Sequence, residues 1–460
     1  MKDTNLNRRQ WLLRSMSGLA LTAGVQHVPL IQPVWAGDPE RHPLAPRASH
    51  HLARAKRVIF FFMTGGVSHV DSFDPKPELN KRDGQPSVRN GRNWKAALWP
   101  HKPRGQSGIE VTDLFPHIAD RADDLCLIRS MHADHGDHFE ATLHMHSGSD
   151  GSVRPSIGSW VSYALGTMNP NLPSFVAFVA RKPYAGAQVW DSHFLPAYHQ
   201  GVRITPGDEP IPHLTPHADT AGLQNKELQM LERLNQQHLQ GREHVNDLAA
   251  RKLSFTTAQS LQEVAPEVFD LRGESKAMLD LYGVRGRGDN SSFAWQVLMA
   301  RRLAERGVRF IELIDTGANR NWDQHSNMPR HGELAKVVDR PIAALLQDLQ
   351  QRGMFDDTLV VWCTEFGRTP FEDSDPSGRG HWREGFTCWL AGGGAKRGYV
   401  HGATDELGLR PEADPVHTHD FHATLLHLLG LNHKKLTYRH AGRDWRLTDE
   451  FGRVVTDVIA

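Results

Sequence analysis

Cysteine is scarce in this chain of 460 residues, which has three. Cys126, Cys363 and Cys388 lie in apolar, strand-like surroundings, and no two of them form a CxxC pair. An odd number of cysteines without such spacing argues against a disulfide framework and against a thiolate metal site. We therefore expect all three thiols to be buried structural side chains.

A surplus of charge of one sign and long apolar runs are lacking as well. Lysine plus arginine and aspartate plus glutamate both number 53, so no basic surplus points to a nucleic-acid partner. Beyond the N-terminal segment, no stretch offers the roughly 20 mostly apolar residues of a membrane-spanning helix. We expect the mature chain to bind no nucleic acid and to have no integral membrane segment.

Several catalytic motifs are missing. The sequence contains no G-x-S-x-G elbow of a serine hydrolase and no H-E-x-x-H of a zinc protease. The run Gly392-Gly393-Gly394 follows a predicted strand but lacks the lysine of a phosphate-binding loop, and we interpret it as a turn. No nucleophile is therefore indicated by a motif.

Residues 1–36 are typical of a signal peptide. Arg8 and Arg9 precede an apolar stretch at 11–28, and the Val-Trp-Ala sequence that ends at Ala36 offers a cleavage site. The two arginines and their neighbours resemble a twin-arginine signal, which predicts passage through the twin-arginine export machinery. We expect a periplasmic or extracellular location; a retained amphipathic anchor is the alternative.

From residue 56 to the end, helical patterns alternate with uniformly apolar strands. This alternation predicts an α/β domain with a mainly parallel sheet that is covered by helices on both faces. Residues 37–55 are expected to be a flexible lead-in, and about 220–282 a helical insertion. The predicted strands cover 58–63, 125–129, 173–180, 308–314, 358–363 and 386–390, and the predicted helices include 135–146, 292–306, 333–352 and 420–429.

Histidine is abundant, with 28 in the chain, and it clusters at predicted strand ends. Ligands of open α/β sheets bind beyond the carboxyl ends of the strands. Asp323, His325 and His331 follow the strand at 308–314, in a loop that leads to a helix. Two imidazoles and a carboxylate so close in sequence can bind one divalent ion, with a solvated loop as the alternative.

A second group follows the strand at 358–363. Glu365 comes directly after this strand and can bind a metal ion or a substrate. Arg368 can bind a phosphate or sulfate oxygen through its planar guanidinium, unless it forms an ion pair with Glu365 that holds the turn. His381, in a glycine-rich loop, is a further candidate ligand.

Two more groups lie nearer the N-terminus. His69 and Asp71 follow Gly65-Gly66, a glycine pair that permits close approach of the backbone, and are candidate metal ligands. His135 and His138 share one face of the predicted helix at 135–146. Each is a candidate metal ligand, general acid or unusual nucleophile.

Longer stretches carry a resemblance to a known family. They include GGVSHVDSFDPKP, RPSIGSWVSYALG, ARRLAERGVRF, WDQH, EFGRTP and HDFHATLLHLLGLNHKKLTYRHAGRDWRLTD. In this order, from about residue 58 to 459, they resemble the bacterial family catalogued as domain of unknown function 1501. That family is grouped with the alkaline phosphatases and sulfatases. The resemblance implies a mostly parallel sheet between helices, divalent metal ions, and hydrolysis of phosphate or sulfate esters, although the family has no established substrate.

The resemblance also implies which residues bind metal, and it shows where this sequence departs from the pattern of those enzymes. Asp323 and His325, with His331 as an option, resemble the ligands of one metal, and His381 resembles a late histidine that binds the same metal. Glu365 stands where those enzymes have an aspartate followed by a histidine, and this adjacent histidine is lost. The first strand lacks the usual terminal aspartate, which His69 or Asp71 would have to replace. Where those enzymes carry a nucleophile, His135 to His138 stand without a hydroxyl or thiol, and the sulfatase C-x-P-S-R pattern is absent.

The sequence thus favours an exported, metal-dependent hydrolase of phosphate or sulfate esters, with a water activated by the ion. Nitrogen and oxygen ligands without sulfur leave Zn, Mn, Fe, Ca and Mg open. The alternatives are a non-catalytic exported protein that binds an anionic ligand or a protein partner, and a purely structural metal site. The expected metal ligands are His69, Asp71, Asp323, His325, His331, Glu365 and His381, and the expected catalytic residues are His135, His138 and Arg368.

Overall fold

The computed structural model describes residues 43–212, 221–242 and 246–460 of the chain. The predicted signal segment, residues 1–36, lies outside the described residues. Of the helices in the described ranges, none combines the length and the apolar character that crossing a membrane requires.

A sheet of nine strands forms the centre of the domain, and four two-stranded hairpins surround it. Numbered along the chain, the strands of the central sheet are β1 (Arg57–Phe62), β4 (Leu125–His132), β5 (Phe175–Val179), β6 (Val202–Ile204), β7 (Phe310–Ile314), β8 (Thr358–Cys363), β11 (Phe386–Ala391), β12 (Tyr399–His401) and β15 (Val416–His417). The hairpins pair β2 (His101–Arg104) with β3 (Ile109–Thr112), β9 (Gly367–Glu372) with β10 (Arg379–Trp382), β13 (Ala403–Thr404) with β14 (Pro411–Ala413), and β16 (Tyr438–His440) with β17 (Arg443–Trp445).

The central sheet is mainly parallel, as the sequence predicts. Its order is β12-β4-β11-β8-β1-β7-β5-β6, with β15 also paired to β4. The run from β8 to β6 is parallel throughout. Strand β11 is antiparallel to both of its neighbours, β4 and β8. Strands buried on both faces are uniformly apolar, which explains why β1 has the sequence RVIFFF.

Helices cover the sheet on both faces. Successive residues of β1 point to opposite layers: Phe61 packs in one layer with Leu298 and Leu345, and Phe60 packs in the other with Leu425. The fold is therefore a three-layer α/β/α arrangement. The helices are α1 (Pro77–Lys81), α2 (Pro116–Ala119), α3 (His138–Ser147), α4 (Ile157–Leu165), α5 (Ala221–Leu239), α6 (Asn246–Phe269), α7 (Lys276–Tyr282), α8 (Phe293–Glu305), α9 (Arg330–Gln351) and α10 (Thr418–Leu428).

Helix α10 begins earlier than the sequence suggests. The expected first residue, Asp420, is the third residue of the helix. His417 is the capping residue, and its Nδ1 accepts from the amide of His419 (3.2 Å). The carboxylate of Asp420 accepts in return from the amide of His417 (3.3 Å). This reciprocal capping box satisfies amides that the helix cannot pair.

The described part of the expected flexible lead-in is held against the domain. The carbonyl of Leu44 accepts from the amide of Thr167 (2.8 Å), and the amide of Arg47 donates to the carbonyl of Leu165 (3.1 Å). Leu44 itself is buried. Residues 44–47 thus pack at the end of α4, and residues 51–55 bond to the carbonyls of Leu428 and Gly430 at the end of α10.

A buried ionic cluster joins α7, α8 and α9. Arg301 on α8 is 2.8 Å from Glu274 and 3.0 Å from Asp348 of α9. Tyr282, at the end of α7, donates its hydroxyl to Asp348 (2.9 Å). Because these side chains are buried, each polar group depends on its partners for stability.

We expect Tyr282→Phe to lower the free energy of unfolding by about 1.5–3 kcal/mol, because it removes a hydrogen bond to a charged group inside the protein. Urea unfolding followed by circular dichroism measures the change. Tyr399→Phe is the matched control, since among the described residues the Tyr399 hydroxyl has no hydrogen-bond partner. Equal stability of the two variants would contradict a role for the Tyr282 hydroxyl.

Candidate metal centre

The candidate site lies at the carboxyl ends of three adjacent parallel strands. Strand β1 runs between β7 and β8, and Phe62 is in register with Ile314 and with Cys363. The segments that follow these strands therefore emerge side by side. Asp323 comes from the loop after β7, and Glu365 follows β8 directly. The hairpin β9–β10 and the start of α3 complete the surroundings.

Three side chains form a tight triangle at this edge of the sheet. Oδ1 of Asp323 is 2.9 Å from Nε2 of His325 and 3.2 Å from Nε2 of His381. The two Nε2 atoms are 2.9 Å apart. Ligands bound at about 2.1 Å around a tetrahedral ion are roughly 3.4 Å apart. The triangle is thus slightly tighter than the spacing that such an ion imposes on its ligands.

The other ring nitrogen of each histidine has an acceptor. Nδ1 of His325 donates to the carboxylate of Asp373, and Nδ1 of His381 donates to the carbonyl of Gly136 (2.7 Å). A neutral imidazole that donates from Nδ1 carries its lone pair on Nε2. Metal-binding histidines are oriented in this way, by a carboxylate or carbonyl behind the ring.

These contacts test whether a divalent ion fits the residues. Two neutral rings held by Nδ1 would point the Nε2 lone pairs of His325 and His381 at each other across 2.9 Å. This contact is repulsive unless a cation lies beside it, and the carboxylate of Asp323 adjoins both nitrogens. Two imidazoles and one carboxylate suit a transition-metal ion better than Mg or Ca. The donor set therefore fits a divalent transition metal.

His138 adds a fourth donor on the other side of Asp323. Its Nε2 is 3.3 Å from Oδ2 of Asp323, and its Nδ1 is 2.7 Å from Oε1 of Glu365. One donor atom each from His138, Asp323 and His381 lie within 4.8 Å of one another. Burial by itself lowers the pKa of His138, but Asp323 and Glu365 outweigh it and raise this pKa above its ordinary value. A proton or a metal ion is thus favoured at this ring.

The charge of Asp323 is held in place by its neighbours. Burial by itself raises the pKa of this carboxyl, but the neighbouring imidazoles of His138 and His381 and the charge of Arg368 lower it well below its usual range. Nη2 of Arg368 donates to Oδ1 of Asp323 (2.6 Å). Asp323 is therefore ionised at neutral pH.

Arg368 is fully buried, and the structure gives its guanidinium several partners inside the protein. It donates to the carbonyls of Gly65, Gly66 (3.0 Å) and Arg379 (3.3 Å), besides Asp323. Arg368 thus joins the turn after β1 to the metal triangle and to β10. Its expected contact with a substrate oxygen would need a guanidinium that reaches solvent, whereas this one does not.

The glycine after β1 permits this close packing. At Gly65, whose φ is +111°, a Cβ would lie 2.7 Å from the amide nitrogen of Asp323 and 2.8 Å from Cγ of Asn321. The amide of Gly65 also donates to Oε1 of Glu365 (2.7 Å). A side chain at this position would displace the loop that carries Asp323.

The structure does not bring His69, Asp71 and His331 to the triangle. Asp71 pairs with Nε of Arg379 (2.8 Å), and Nε2 of His69 bonds to a backbone carbonyl (2.9 Å). Nε2 of His331 accepts from the amide of Ser68 (3.3 Å). All three side chains are buried in a separate polar network that fixes the loop after β1.

His135 also lies apart from the triangle. Its Nε2 is 2.9 Å from the carboxylate of Asp150, and both side chains are about two-fifths exposed. Glu365, by contrast, is fully buried and contacts the site through Nδ1 of His138. Of the predicted residues, the structure brings together His138, Asp323, His325 and His381. Glu365 contacts His138, and Arg368 contacts Asp323.

No motif in the sequence points to three further residues of the site, which are Asp373, Tyr184 and Asn321. Asp373 lies in the FEDSDPSG run among similar carboxylates, and only its contact with His325 distinguishes it. Tyr184 stacks on His138, with ring centroids 4.2 Å apart, and accepts from Nδ2 of Asn321 (3.0 Å). Burial raises the pKa of Tyr184 to about 12, so its phenol stays protonated. Contacts across the fold, which no motif encodes, assign all three.

Comparison with solved structures finds distant likenesses. The chain is similar to the lipoteichoic acid synthase LtaP from Listeria monocytogenes (9% identity, 86% of this chain and 75% of that chain, TM-score 0.38). It is also similar to the PsFucS1 sulfatase from Pseudoalteromonas sp. (13% identity, 82% and 68%, TM-score 0.36). A third is the TAB5 alkaline phosphatase (12% identity, 76% and 94%, TM-score 0.33). Nothing about activity follows from likenesses this distant.

Comparison with protein families gives a match that covers nearly all of the chain. None of the curated proteins compared with the sequence matches it. The model of one family, described as a protein of unknown function (DUF1501), matches residues 55–459. This range includes the sheet, both helical layers and all residues of the metal triangle. The resemblance carried by the sequence motifs is thereby confirmed, and the chain belongs to the DUF1501 family.

Proposed function

We propose that this protein is an exported, metal-dependent hydrolase of phosphate or sulfate esters. The observation that carries the proposal is the triangle of Asp323, His325 and His381, in which both histidines present Nε2 because Asp373 and Gly136 hold their Nδ1 atoms. The triangle is open to solvent, since the side chain of His325 is 44% exposed. A substrate can therefore reach it.

Asp323, His325 and His381 would hold the ion. A divalent ion at such a site polarises an ester oxygen and lowers the pKa of a bound water. The positive charge also attracts a phosphate or sulfate group, which is why an anionic ester is the substrate class of the proposal. Zn, Mn and Fe fit the nitrogen-rich donor set better than Ca or Mg.

His138 would act as a general acid, and Glu365 would position its ring. Glu365 accepts from Nδ1 of His138, which fixes the orientation of the ring. Asp323 and Glu365 raise the pKa of His138 above its ordinary value, and the protonated ring can give its proton to a leaving group. Tyr184 stacks on the ring of His138 and keeps it in place.

The proposed mechanism has no covalent step, because the hydroxyls of Thr64 and Thr364 and the thiol of Cys363 are not available to attack a substrate. Thr64 donates to the carbonyl of Thr316 (2.9 Å), and Thr364 donates to the carbonyl of Met63 (2.8 Å). Cys363 is fully buried. Attack by water, rather than by a side chain, fits this arrangement.

Export through the twin-arginine machinery, to the periplasm or beyond, is part of the proposal. Residues Arg8 and Arg9 support it. Because this route carries folded proteins, the ion would be bound before export.

The same lack of a presented nucleophile supports a second candidate function. In this alternative the protein binds an anionic ligand or a protein partner through the metal centre and performs no hydrolysis. The two functions differ in one measurable respect, turnover by the metal-loaded protein.

We expect Asp323→Ala and His381→Ala to lose the bound metal and to lower ester hydrolysis by at least 100-fold, because each removes a ligand of the triangle. Elemental analysis of protein purified without chelators gives the metal content. A panel of aryl phosphate mono- and diesters and aryl sulfates gives the activity. His135→Ala is the control and should retain both, since His135 pairs with Asp150 at the surface.

Metal-loaded protein that hydrolyses none of these esters would contradict the proposed hydrolase activity and leave ligand binding as the function. Folded wild-type protein that binds no divalent metal ion would overturn both functions.

We expect Asp373→Asn to weaken metal binding by 10- to 100-fold, because the amide no longer draws the proton of His325 to Nδ1 as a carboxylate does. Competition with a chelating dye measures the affinity. Asp375→Asn is the matched control in the same loop, since Asp375 accepts from the hydroxyl of Ser377 (2.7 Å) and, within the described residues, does not contact the triangle. A loss of affinity equal in both variants would show a general effect of charge and contradict the specific one.

A further inference from the structure

A second group of histidines lies at the other end of helix α3, which begins at His138. His144 is near the end of α3, and His417 and His419 are at the start of α10. One ring nitrogen from each of the three lies within 4.8 Å of the others. The ring centroids are 4.8–5.5 Å apart. No residue of this group belongs to the triangle described above.

Two of these rings have buried nitrogens without a hydrogen-bond partner in the described part of the chain. His144 is 2% exposed, and its Nδ1 has no such partner. His419 donates from Nε2 to the carbonyl of Gly148 (3.0 Å), and this Nε2 also lies 3.3 Å from Nε2 of His144. The lone pair of His419 is therefore on Nδ1. This Nδ1 is also without a partner. Buried polar atoms of this kind call for a ligand, because leaving them unsatisfied is costly.

A carboxylate faces the same group. Oδ2 of Asp134 is 3.1 Å from Nε2 of His417 and 3.9 Å from Nδ1 of His144. Nδ1 of His417 accepts from the amide of His419, so the ring proton of His417 lies on Nε2 and is donated to Asp134. His417 is thus fixed as a donor that positions the carboxylate.

A cavity of about 520 Å³ adjoins the group and gives access from solvent. Asp134, His417 and His419 line it, together with Phe451 and Arg453. The side chain of Asp134 is 53% exposed, so an ion that enters the cavity meets the carboxylate first.

We propose that a second divalent transition-metal ion binds here, with His144 and His419 as nitrogen ligands and Asp134 as the oxygen ligand. His417 is a positioning residue: it holds Asp134 and caps α10. Imidazole ligands favour Zn, Ni, Cu or Fe over Mg and Ca. The segment from Asp134 to His138 supplies both centres, because Gly136 orients His381 of the triangle.

The test is the stoichiometry of bound Zn²⁺, measured by native mass spectrometry and by elemental analysis after dialysis against micromolar Zn²⁺. Wild-type protein should hold two ions. His144→Ala should hold one, His381→Ala should hold one, and the double variant none. His427→Ala, on α10 but outside the group, is the control and should hold two.

The positioning role has its own variant. His417→Asn keeps a good capping side chain but removes the donor to Asp134, and it should bind the second ion 10- to 100-fold more weakly while α10 stays folded. Thermal unfolding by circular dichroism checks the fold of each variant. If His144→Ala does not fold, Asp134→Asn replaces it, because Asp134 is exposed and its loss leaves the core intact.

Wild-type protein that binds no ion would overturn the proposal. So would folded His144→Ala or Asp134→Asn protein that binds as many ions as the wild-type protein. Failure of the hydrolase proposal is separate: it appears as a lack of turnover or as no ion lost in His381→Ala, whatever the second group binds.

Discussion

The guanidinium of Arg368 is the point on which the arrangement of the site depends. It is fully buried, and a buried charge is tolerated only when it is paired and hydrogen-bonded. Asp323 supplies the opposite charge, and the carbonyls of the turn after β1 and of β10 supply the acceptors. One side chain therefore ties together three segments that are far apart in sequence. Removing any of these partners would leave a buried charge uncompensated, so the segments hold one another in position.

The turn and the strands make this pairing possible. Strands β7, β1 and β8 are parallel neighbours, so the segments after them emerge at one edge of the sheet. Gly65 lets the backbone of β1 approach Asp323 more closely than a side chain would allow. Asp323 then lies between Arg368 and the imidazoles of His138, His325 and His381. The backbone geometry of one glycine and the charge of one arginine thus position the carboxylate of the triangle.

The sequence predicted much of this and failed in ways that have physical causes. Apolar runs identify the strands, and polar residues just after them identified Asp323, His325 and His381. The helix at α3 was placed three residues too early: it begins at His138, so His135 lies outside it and the two rings do not share a face. His69 and Asp71 follow a strand of the same edge, but Asp71 finds a buried partner in Arg379 and stays inside the protein.

The sequence by itself determined the α/β architecture, the edge of the sheet where the site lies, and the glycine pair that this edge requires. These follow from local patterns, because apolar periodicity and turn residues act over a few positions. Only the tertiary structure decided which histidines present Nε2 and which face another acceptor. An imidazole carries its lone pair on the nitrogen that its neighbours leave free, and for His325 and His381 those neighbours are Asp373 and the carbonyl of Gly136. The sequence separates His381 from Gly136 by more than half of the chain, and only folding places them in contact.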